Sequence, residues 1–272
     1  MSYHEKADYI GSTGLRQYLK SPAHYRYNCD NPKPPTPDMV LGSGYHTLIL
    51  EPDKFDDRYY ILDTNRRPEP DKTFASKLNK EWREGEITAV ANSGLVTLDT
   101  ETISTLYAML EIMRQSEAYT LLKGVFEAEY YSDKFHGCKV KIKPDCHNDK
   151  FIIDLKTCQS AAPELFKNHA YKMGYHIQAA LYLDVLGNID GHKRQFVFIA
   201  QEKEPPYFIN VFVASEAFVA QGRYEYEQLL KLHARCLAAN AWPGYEAMSS
   251  REDGAFELDL PAYGYRELTI NI

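Results

Sequence analysis

The feature that most constrains the fold is a short run, residues 150–155, that is apolar on both faces of a predicted strand. The run reads KFIIDL, and its large apolar side chains alternate onto both sides. Such a strand is typical of the middle of a sheet, where both faces are covered. Central strands rarely carry unpaired charge, yet this one carries Asp154, and Lys156 follows two positions later on the same face. These two residues are therefore candidates for a functional site.

A second carboxylate is predicted to lie beside Asp154. Asp145 follows Pro144 at the end of another predicted strand, 138–144, and a hairpin between the two strands brings the acids together. Two carboxylates at one strand end suit a hard divalent cation such as Mg²⁺. Such a cation can neutralise a phosphate, lower the pKa of a bound water and stabilise a leaving oxygen, as phosphodiester hydrolysis requires. Lys156 can orient the attacking water or hold the phosphate.

The order of the predicted elements indicates an α/β fold. Strands are predicted at 125–132, 138–144, 150–155, 194–201 and 207–213, and helices at 12–18, from 22 onward, 39–52, 99–116, 162–186 and 215–240. The first three strands are expected to be consecutive and antiparallel, in a mixed central sheet flanked by helices and preceded by a helical N-terminal portion. Ser12 or Thr13 is expected to cap the first helix and Ser21 the second. Residues 57–98 and 241–272 show no pattern clear enough to assign.

Composition and charge narrow the class of protein. The chain has 272 residues, of which 44% are hydrophobic and 25% charged, a globular composition. No window approaches the ~20 apolar residues of a membrane helix, and the N-terminus lacks the pattern of a signal peptide. Five scattered cysteines without a C-x-x-C pair favour reduced thiols, so we expect a cytoplasmic protein with no membrane partner. The net charge of −7 argues against a broad basic face for DNA but allows basic residues to line one groove.

Four motifs follow one another along residues 10–190. They are an opening STGLRQYLKSPAHYR at 12–26, a G-x-x-x-H-x-x-x-x-E-P helix with Gly42, His46 and Glu51, a P-D and D-L-K-T pair built on Asp145 and Asp154, and a Q-x-x-x-Y helix with Gln178 and Tyr182. In this order they resemble the PD-(D/E)xK nuclease superfamily, and within it the exonuclease VIII (RecE-like) branch. Each motif is weak alone, whereas four in register are a strong signal.

The resemblance implies a metal centre and a catalytic lysine. The metal ligands that it implies are His46, Asp145, Asp154 and the backbone carbonyl of Leu155. Lys156 would be the catalytic lysine. The implied metal is Mg²⁺, with Mn²⁺ as a substitute.

The resemblance also implies supporting residues around that centre. Gln178 and Tyr182 would position a DNA phosphate or brace the metal ligands. Family members often carry a further acid on the strand before the P-D strand. Glu127 and Glu129 both qualify, because they share one face of the predicted strand 125–132, and Glu127 is mildly preferred.

The function implied by the resemblance is an exodeoxyribonuclease acting in DNA recombination or repair. Such an enzyme digests one strand of linear duplex DNA from its 5′ end and leaves a 3′ single strand. The implied partners are double-stranded DNA ends, a single-strand annealing protein and further copies of the chain in a ring that threads DNA. We expect residues 1–272 to form a single nuclease domain, with His46 in a helical portion 1–56, the metal site in a core 99–240, and a tail 241–272.

The predicted DNA contacts are dispersed basic residues. They are Lys139, Lys141 and Lys143, which alternate on one strand face, and Arg26 near the N-terminus. Three alternative functions stay open: an endonuclease or single-strand-specific nuclease with the same centre, a non-catalytic DNA- or protein-binding module on this fold, and a metal-dependent hydrolase of small phosphate esters. Two aspartates beside Lys156 count against the non-catalytic module.

Overall fold

The structure is a computed structural model that describes residues 8–259 of the chain. Residues 1–7 of the predicted N-terminal portion and residues 260–272 of the predicted tail lie outside the described residues. The helices are α1 (Ser12–Tyr18), α2 (Pro22–Asp30), α3 (Pro37–Leu50), α4 (Phe55–Arg58), α5 (Lys77–Ala91), α6 (Thr100–Gln115), α7 (Pro163–Lys172), α8 (Tyr175–Asp190) and α9 (Glu216–Ala239). The strands are β1 (Tyr59–Leu62), β2 (Val96–Asp99), β3 (Val125–Phe126), β4 (Tyr130–Phe135), β5 (Cys138–Ile142), β6 (Cys146–His147), β7 (Phe151–Cys158), β8 (Gln195–Glu202) and β9 (Ile209–Val213). Across residues 8–259, none of these helices combines the length and the apolar character needed to span a membrane.

A mixed five-stranded sheet, in the order β3-β6-β7-β8-β9, organises the fold. Strand β7 lies in the middle, parallel to β8 and antiparallel to β6, while β9 pairs antiparallel with β8. The sheet confirms the predicted α/β class, and the position of β7 confirms that the doubly apolar strand is central. Two smaller sheets accompany it, a parallel pair β1–β2 and an antiparallel pair β4–β5.

Separate apolar clusters cover the two faces of this sheet. On one face, Ile152 of β7 and Phe196 of β8 pack in a cluster shared with α1, α8 and α9. On the other face, Ile153 and Leu155 pack in a cluster shared with α3 and α6. Full burial of each such side chain stabilises the fold by roughly 1.5–3 kcal/mol. The clusters therefore hold β7 from both sides and fix the position of the charged residues that it carries.

The predicted strand 125–132 is wrong as a single element. Strand β3 ends in the central sheet at Phe126, and β4 begins in a separate sheet at Tyr130. The break follows from Glu127, whose φ of 52° is in the left-handed region that non-glycine residues rarely adopt. Glu127 and Glu129 consequently do not share a strand face.

The predicted strand 138–144 is found as β5, but it belongs to a small sheet and not to the central one. Strand β5 ends at Ile142, and the chain passes through Asp145 before β6 joins the central sheet. The expected run of three consecutive antiparallel strands is therefore replaced by two hairpins, β4–β5 and β6–β7, that belong to different sheets.

The predicted helix 162–186 is two helices rather than one. They are α7 and α8, separated at Gly174, whose φ of +65° is left-handed. Glycine adopts this conformation without the steric cost that a side chain brings, so it allows the chain to turn sharply there. Helix α8 then runs on past the predicted end, to Asp190.

The helix caps agree with the sequence in part. Ser21 accepts a hydrogen bond from the His24 amide and Pro22 is the first helical residue, as predicted. The predicted cap of α1 is wrong, because the capping position is Gly11, which has no side chain, and Ser12 already lies in the helix.

Candidate active site

The register of three neighbouring strands, β3, β6 and β7, brings three acids together. The pairing of Cys146 with Ile153 sets β6 against β7, so that Asp145, just before β6, falls beside Asp154 in the middle of β7. Strand β3 extends the row, because the Glu127 amide donates to the Asp145 backbone carbonyl at 3.0 Å. Three acidic residues therefore stand in one row, where β3 ends, β6 begins and β7 continues.

The shortness of β6 leaves part of the β7 backbone free for side chains. Leu155 lies beyond the last β6 pair, and its amide donates to Asp145 Oδ2 at 2.7 Å. The Leu155 carbonyl accepts from His46 Nε2 at 3.0 Å. One residue of the central strand thus holds an aspartate and a histidine from two different elements.

His46 reaches the sheet because α3 packs closely against its neighbours. Gly44 lies within this helix, and a Cβ there would stand 2.9 Å from Leu106 Cδ1 on α6. Because glycine has no Cβ, α3 can pack close to α6, and His46 Nδ1 lies 3.5 Å from Asp145 Oδ2. His46, Glu127 and Asp145 each offer one ligand atom, and these atoms lie within 4.8 Å of one another.

The structure separates the two acids between which the sequence could not choose. Glu127 Oε2 lies 2.6 Å from Lys143 Nζ, and the carboxylate belongs to the cluster with His46. Glu129 is exposed and accepts a hydrogen bond from the Tyr131 hydroxyl at 2.6 Å. Glu127 is therefore the acid placed to complete the site.

Asp154 is buried and held by two partners. Its Oδ1 accepts from Gln178 Nε2 at 2.6 Å. Its Oδ2 forms an ion pair with Lys156, whose Nζ lies 2.5 Å away. Lys156 Nζ also stands 4.7 Å from the centre of the Tyr175 ring. Gln178 and Lys156 therefore each hold one oxygen of this buried carboxylate.

Burial and neighbouring charges move the pKa values of the two aspartates in opposite directions. Burial raises the pKa of Asp154 to about 6, although Lys156 opposes that shift. Burial also acts to raise the pKa of Asp145, but His46, Lys156 and the Leu155 amide outweigh it, so this pKa is lowered. The pKa of Glu127 is raised, by burial and by the charge of Asp145.

Tyr182 lies one helical turn after Gln178 and faces the same site. It is buried, and burial together with the charges of Asp154 and Asp145 raises the pKa of its hydroxyl to about 12. The hydroxyl is therefore neutral at physiological pH and available as a hydrogen-bonding group.

Similarity to known proteins identifies the family. A family model described as a PDDEXK-like domain of unknown function (DUF3799) matches residues 11–251. The chain belongs to this family. Its membership confirms the resemblance to the PD-(D/E)xK superfamily, while the RecE-like branch stays a prediction.

Solved structures support the fold of this PDDEXK-like domain. The crystal structure of a candidate exonuclease from Eubacterium rectale is similar, with a TM-score of 0.64 and 14% identity over 96% of this chain and 92% of that one. At this identity the likeness shows the fold alone. A second structure, named SSO0001, has a TM-score of 0.30 and 16% identity over 71% of this chain and 86% of that one, and carries no argument. A comparison with curated proteins finds no match.

The side chains of the PDDEXK-like domain fit a hard divalent cation. Carboxylates and a histidine converge on one point, which is a donor set suited to Mg²⁺ or Mn²⁺. Buried Asp154 is a second observation, because burial raises its pKa and a cation nearby would favour its ionised form. A cation there would also offset the mutual repulsion of the three acids.

The four predicted DNA-contacting residues occupy different settings. Lys143 pairs with Glu127, which together with Asp145, Asp154 and His46 forms what we call the acidic cluster. Lys139 Nζ lies 3.6 Å from Asp8 Oδ2. Lys141 is half-buried on the same strand. Arg26 pairs with Asp30 at 2.9 Å and stacks over Trp242, with no contact to the acidic cluster among the described residues. A DNA contact by any of the four stays a prediction.

Two further residues belong to the neighbourhood of the site and were not singled out for it in the sequence. The Lys156 ammonium lies over the ring of Tyr175. Tyr175, Gln178 and Tyr182 are spaced i, i+3 and i+7, which predicts that they share one face of a helix, so the sequence does contain a sign of this residue. Arg16 lies close enough to Tyr175, Tyr182 and Asp154 for their charges to affect its pKa. Arg16 belongs to the opening motif at 12–26 and to the basic residues available for DNA near the N-terminus, but the sequence does not indicate that it reaches this site.

Proposed function

We propose that this PDDEXK-like domain is a metal-dependent deoxyribonuclease that degrades linear double-stranded DNA from its ends. The observation that carries the proposal is that His46, Glu127 and Asp145 place ligand atoms within 4.8 Å of one another, with Asp154 beside Asp145 and Lys156 paired to Asp154. Carboxylates and a lysine in this arrangement suit hydrolysis of a phosphodiester, whose reaction develops negative charge.

The acids and His46 would hold the metal, and the other residues would prepare the reaction. A bound divalent cation would supply charge neutralisation on the phosphate and a water of lowered pKa. Lys156 stays protonated: burial lowers its pKa, but Asp154 and Tyr175 outweigh that effect, and the pKa is raised. Its ammonium can therefore donate to a phosphate oxygen or orient the attacking water. Gln178 fixes the orientation of Asp154 through the 2.6 Å hydrogen bond.

The exonuclease form, 5′ to 3′ polarity and the use of Mg²⁺ are the finer parts of the proposal. The sequence resemblance supports them, and the E. rectale protein of similar fold is itself described as a candidate exonuclease. We extend the proposal to a ring-shaped homo-oligomer, to a single-strand annealing protein as partner and to a role in recombination or repair. These rest on the resemblance alone.

The test of the proposed function is the digestion of linear and covalently closed duplex DNA, with Mg²⁺ or with EDTA. We expect degradation of the linear form only, and only with Mg²⁺. Asp154→Asn should abolish it. Asp149→Asn is the matched control, because Asp149 is an exposed acid in the adjacent turn, 3.6 Å from His192.

Other outcomes point to other functions. Cutting of the closed circle would indicate an endonuclease. Binding of DNA without metal-dependent cleavage of either form would contradict the enzyme and favour the non-catalytic module. Hydrolysis of small phosphate esters without attack on DNA would favour the third alternative.

A further inference from the structure

Arg16 stands out among the cations near the active site because none of the described acids pairs with it. Within residues 8–259, no carboxylate oxygen lies within 4.0 Å of its guanidinium, whereas Lys156 and Lys143 each have such a partner. The side chain is half-buried, and burial lowers its pKa, while Tyr175, Tyr182 and Asp154 oppose that shift. A desolvated cation without a counter-charge is costly, so an anionic ligand would be favourable there.

The guanidinium is held in one place by two neutral acceptors. Arg16 Nη1 donates to the Met173 carbonyl at 2.5 Å, and Nη2 donates to Thr13 Oγ1 at 3.0 Å. A guanidinium has five N–H donors. The described residues therefore leave three of them available, in the planar arrangement that suits a phosphate.

The turn between α7 and α8 is shaped around this side chain. A Cβ on Gly174 would lie 2.8 Å from Arg16 Cδ and 3.0 Å from Cγ, and Gly174 also has the left-handed φ of +65°. The same turn presents the Met173 carbonyl to Arg16 and starts the helix that carries Tyr175. Arg16 and Lys156 thus both lie near Tyr175.

We propose that Arg16 is a phosphate-binding residue, which holds a phosphate group of the substrate strand next to the acidic cluster. The inference rests on the proposed nuclease function for the identity of the substrate. The phosphate is either an internal one of the strand or a terminal one, and both offer the same anionic oxygens. The rival explanation is structural: Arg16 would only cap the end of α7 through the Met173 carbonyl.

The first experiment measures binding of a labelled DNA duplex in EDTA, where cleavage does not interfere. Arg16→Gln should weaken binding about tenfold, as expected for loss of a charged hydrogen bond. It should also reduce the slope of log K against log salt by about 0.9, the value for one phosphate contact. Arg235→Gln is the control, because Arg235 is an exposed arginine of α9 and its loss changes the net charge equally.

The slope distinguishes phosphate binding from capping. A capping role would lower the melting temperature of Arg16→Gln without changing the slope, and that result would overturn the proposal. Arg16→Lys keeps the charge and serves if the glutamine variant does not fold. It should retain the slope but bind more weakly, because lysine lacks the planar fork, and a slope reduced in Arg16→Lys as much as in Arg16→Gln would overturn the proposal.

Two further experiments identify the phosphate and separate this proposal from the proposed function. The first compares binding of duplexes with a 5′-phosphate and with a 5′-hydroxyl. A loss of affinity in Arg16→Gln that is confined to the 5′-phosphate duplex assigns a terminal phosphate, and an equal loss with both duplexes assigns an internal one. Inorganic phosphate should raise the melting temperature of the wild type more than that of Arg16→Gln, against chloride at equal ionic strength. If that difference is present but DNA is neither bound nor cut, the phosphate site stands and the nuclease function fails. If it is absent, the phosphate site fails whatever the nuclease activity.

Discussion

Asp145, just before β6, and Asp154, in the middle of β7, are neighbours, yet their environments favour different charge states. Asp145 accepts a hydrogen bond from the Leu155 amide and faces His46, which together favour its ionised form. Asp154 is more deeply buried, and burial outweighs the favourable effect of Lys156 on its ionised form. The negative charge of Asp154 is therefore unfavourable in the folded protein, and a bound cation would offset that cost.

Because the negative charge of Asp154 is unfavourable in the folded protein, we predict that Asp154→Asn stabilises the metal-free protein. The folded-state pKa of Asp154 is raised to about 6, so this carboxyl contributes stability below about pH 4 that is lost as the pH rises through 6. An asparagine avoids that loss, so at pH 7 in EDTA the variant should be more stable by up to about 2–3 kcal/mol. Thermal unfolding in EDTA measures this.

Adding Mg²⁺ to the same samples gives the complementary result. It should raise the melting temperature of the wild type and of Asp149→Asn, but much less that of Asp154→Asn. A variant that is less stable than the wild type in EDTA, or equally stabilised by Mg²⁺, would contradict this view of Asp154.

At the scale of elements, periodic sequence patterns predicted the regular strands and helices but missed the breaks that depend on single residues. Periodicity was sufficient to predict β7, β8 and α9, because their apolar side chains recur at regular spacing against a large core. It also placed Asp154 and Lys156 on one face, as the structure has them. The breaks after β3 and α7 depend on single left-handed residues, Glu127 and Gly174, which no periodic pattern records. The convergence of Glu127 with His46 follows from the first break and could not be predicted without it.

The turn between α7 and α8 supplies a matched pair of variants. Gly174→Ala and Gly191→Ala both place a side chain at a left-handed φ, +65° and +78°, and each should cost roughly 1–2 kcal/mol. Only the former brings a Cβ against Arg16, since nothing lies within 4 Å of a Cβ at Gly191. We expect both to lower the melting temperature and only Gly174→Ala to weaken duplex binding. Equal binding by both variants would show that the turn does not position Arg16.

Helix α1 is tied to α9 by a buried histidine, which predicts a pH dependence of stability. His233 Nδ1 lies 2.7 Å from the Tyr18 hydroxyl, and burial lowers the pKa of His233 to about 4. A lowered pKa means that this histidine stabilises the fold above about pH 6.5, and that the contribution is lost as the pH falls toward 4. The loss is of order 3 kcal/mol at most.

Replacing His233 tests that pH dependence. His233→Gln keeps an acceptor for Tyr18 without a titrating group, so its free energy of unfolding should fall less than that of the wild type between pH 7 and pH 4.5. Urea unfolding at the two pH values measures the difference. Parallel losses in the two proteins would mean that other groups control acid stability.

On the scale of the whole molecule, an acidic chain places its candidate site on the central strand of a doubly covered sheet. Arg16 and Lys156 both lie near Tyr175 although the net charge is −7, and a basic composition is not needed when charges are sorted in space. The fold class was predictable because it follows from the order of the elements and from the central strand. The β4–β5 hairpin falls within the predicted antiparallel strands 125–132 and 138–144, but its separation from the central sheet was not predicted. The parallel β1–β2 pair was not predicted either, because residues 57–98 show no clear pattern in the sequence.

The central claim is that the acidic cluster binds the divalent cation that supports DNA hydrolysis. The most direct measurement is the rate of linear duplex digestion as Mg²⁺ is titrated into EDTA-treated protein, for the wild type, Asp154→Asn and Asp149→Asn. We predict saturable activation of the wild type and of Asp149→Asn, and a rate lower by roughly a hundredfold or more for Asp154→Asn at every Mg²⁺ concentration. Digestion that persists in EDTA, or an Asp154→Asn variant that is activated like the wild type, would contradict the claim.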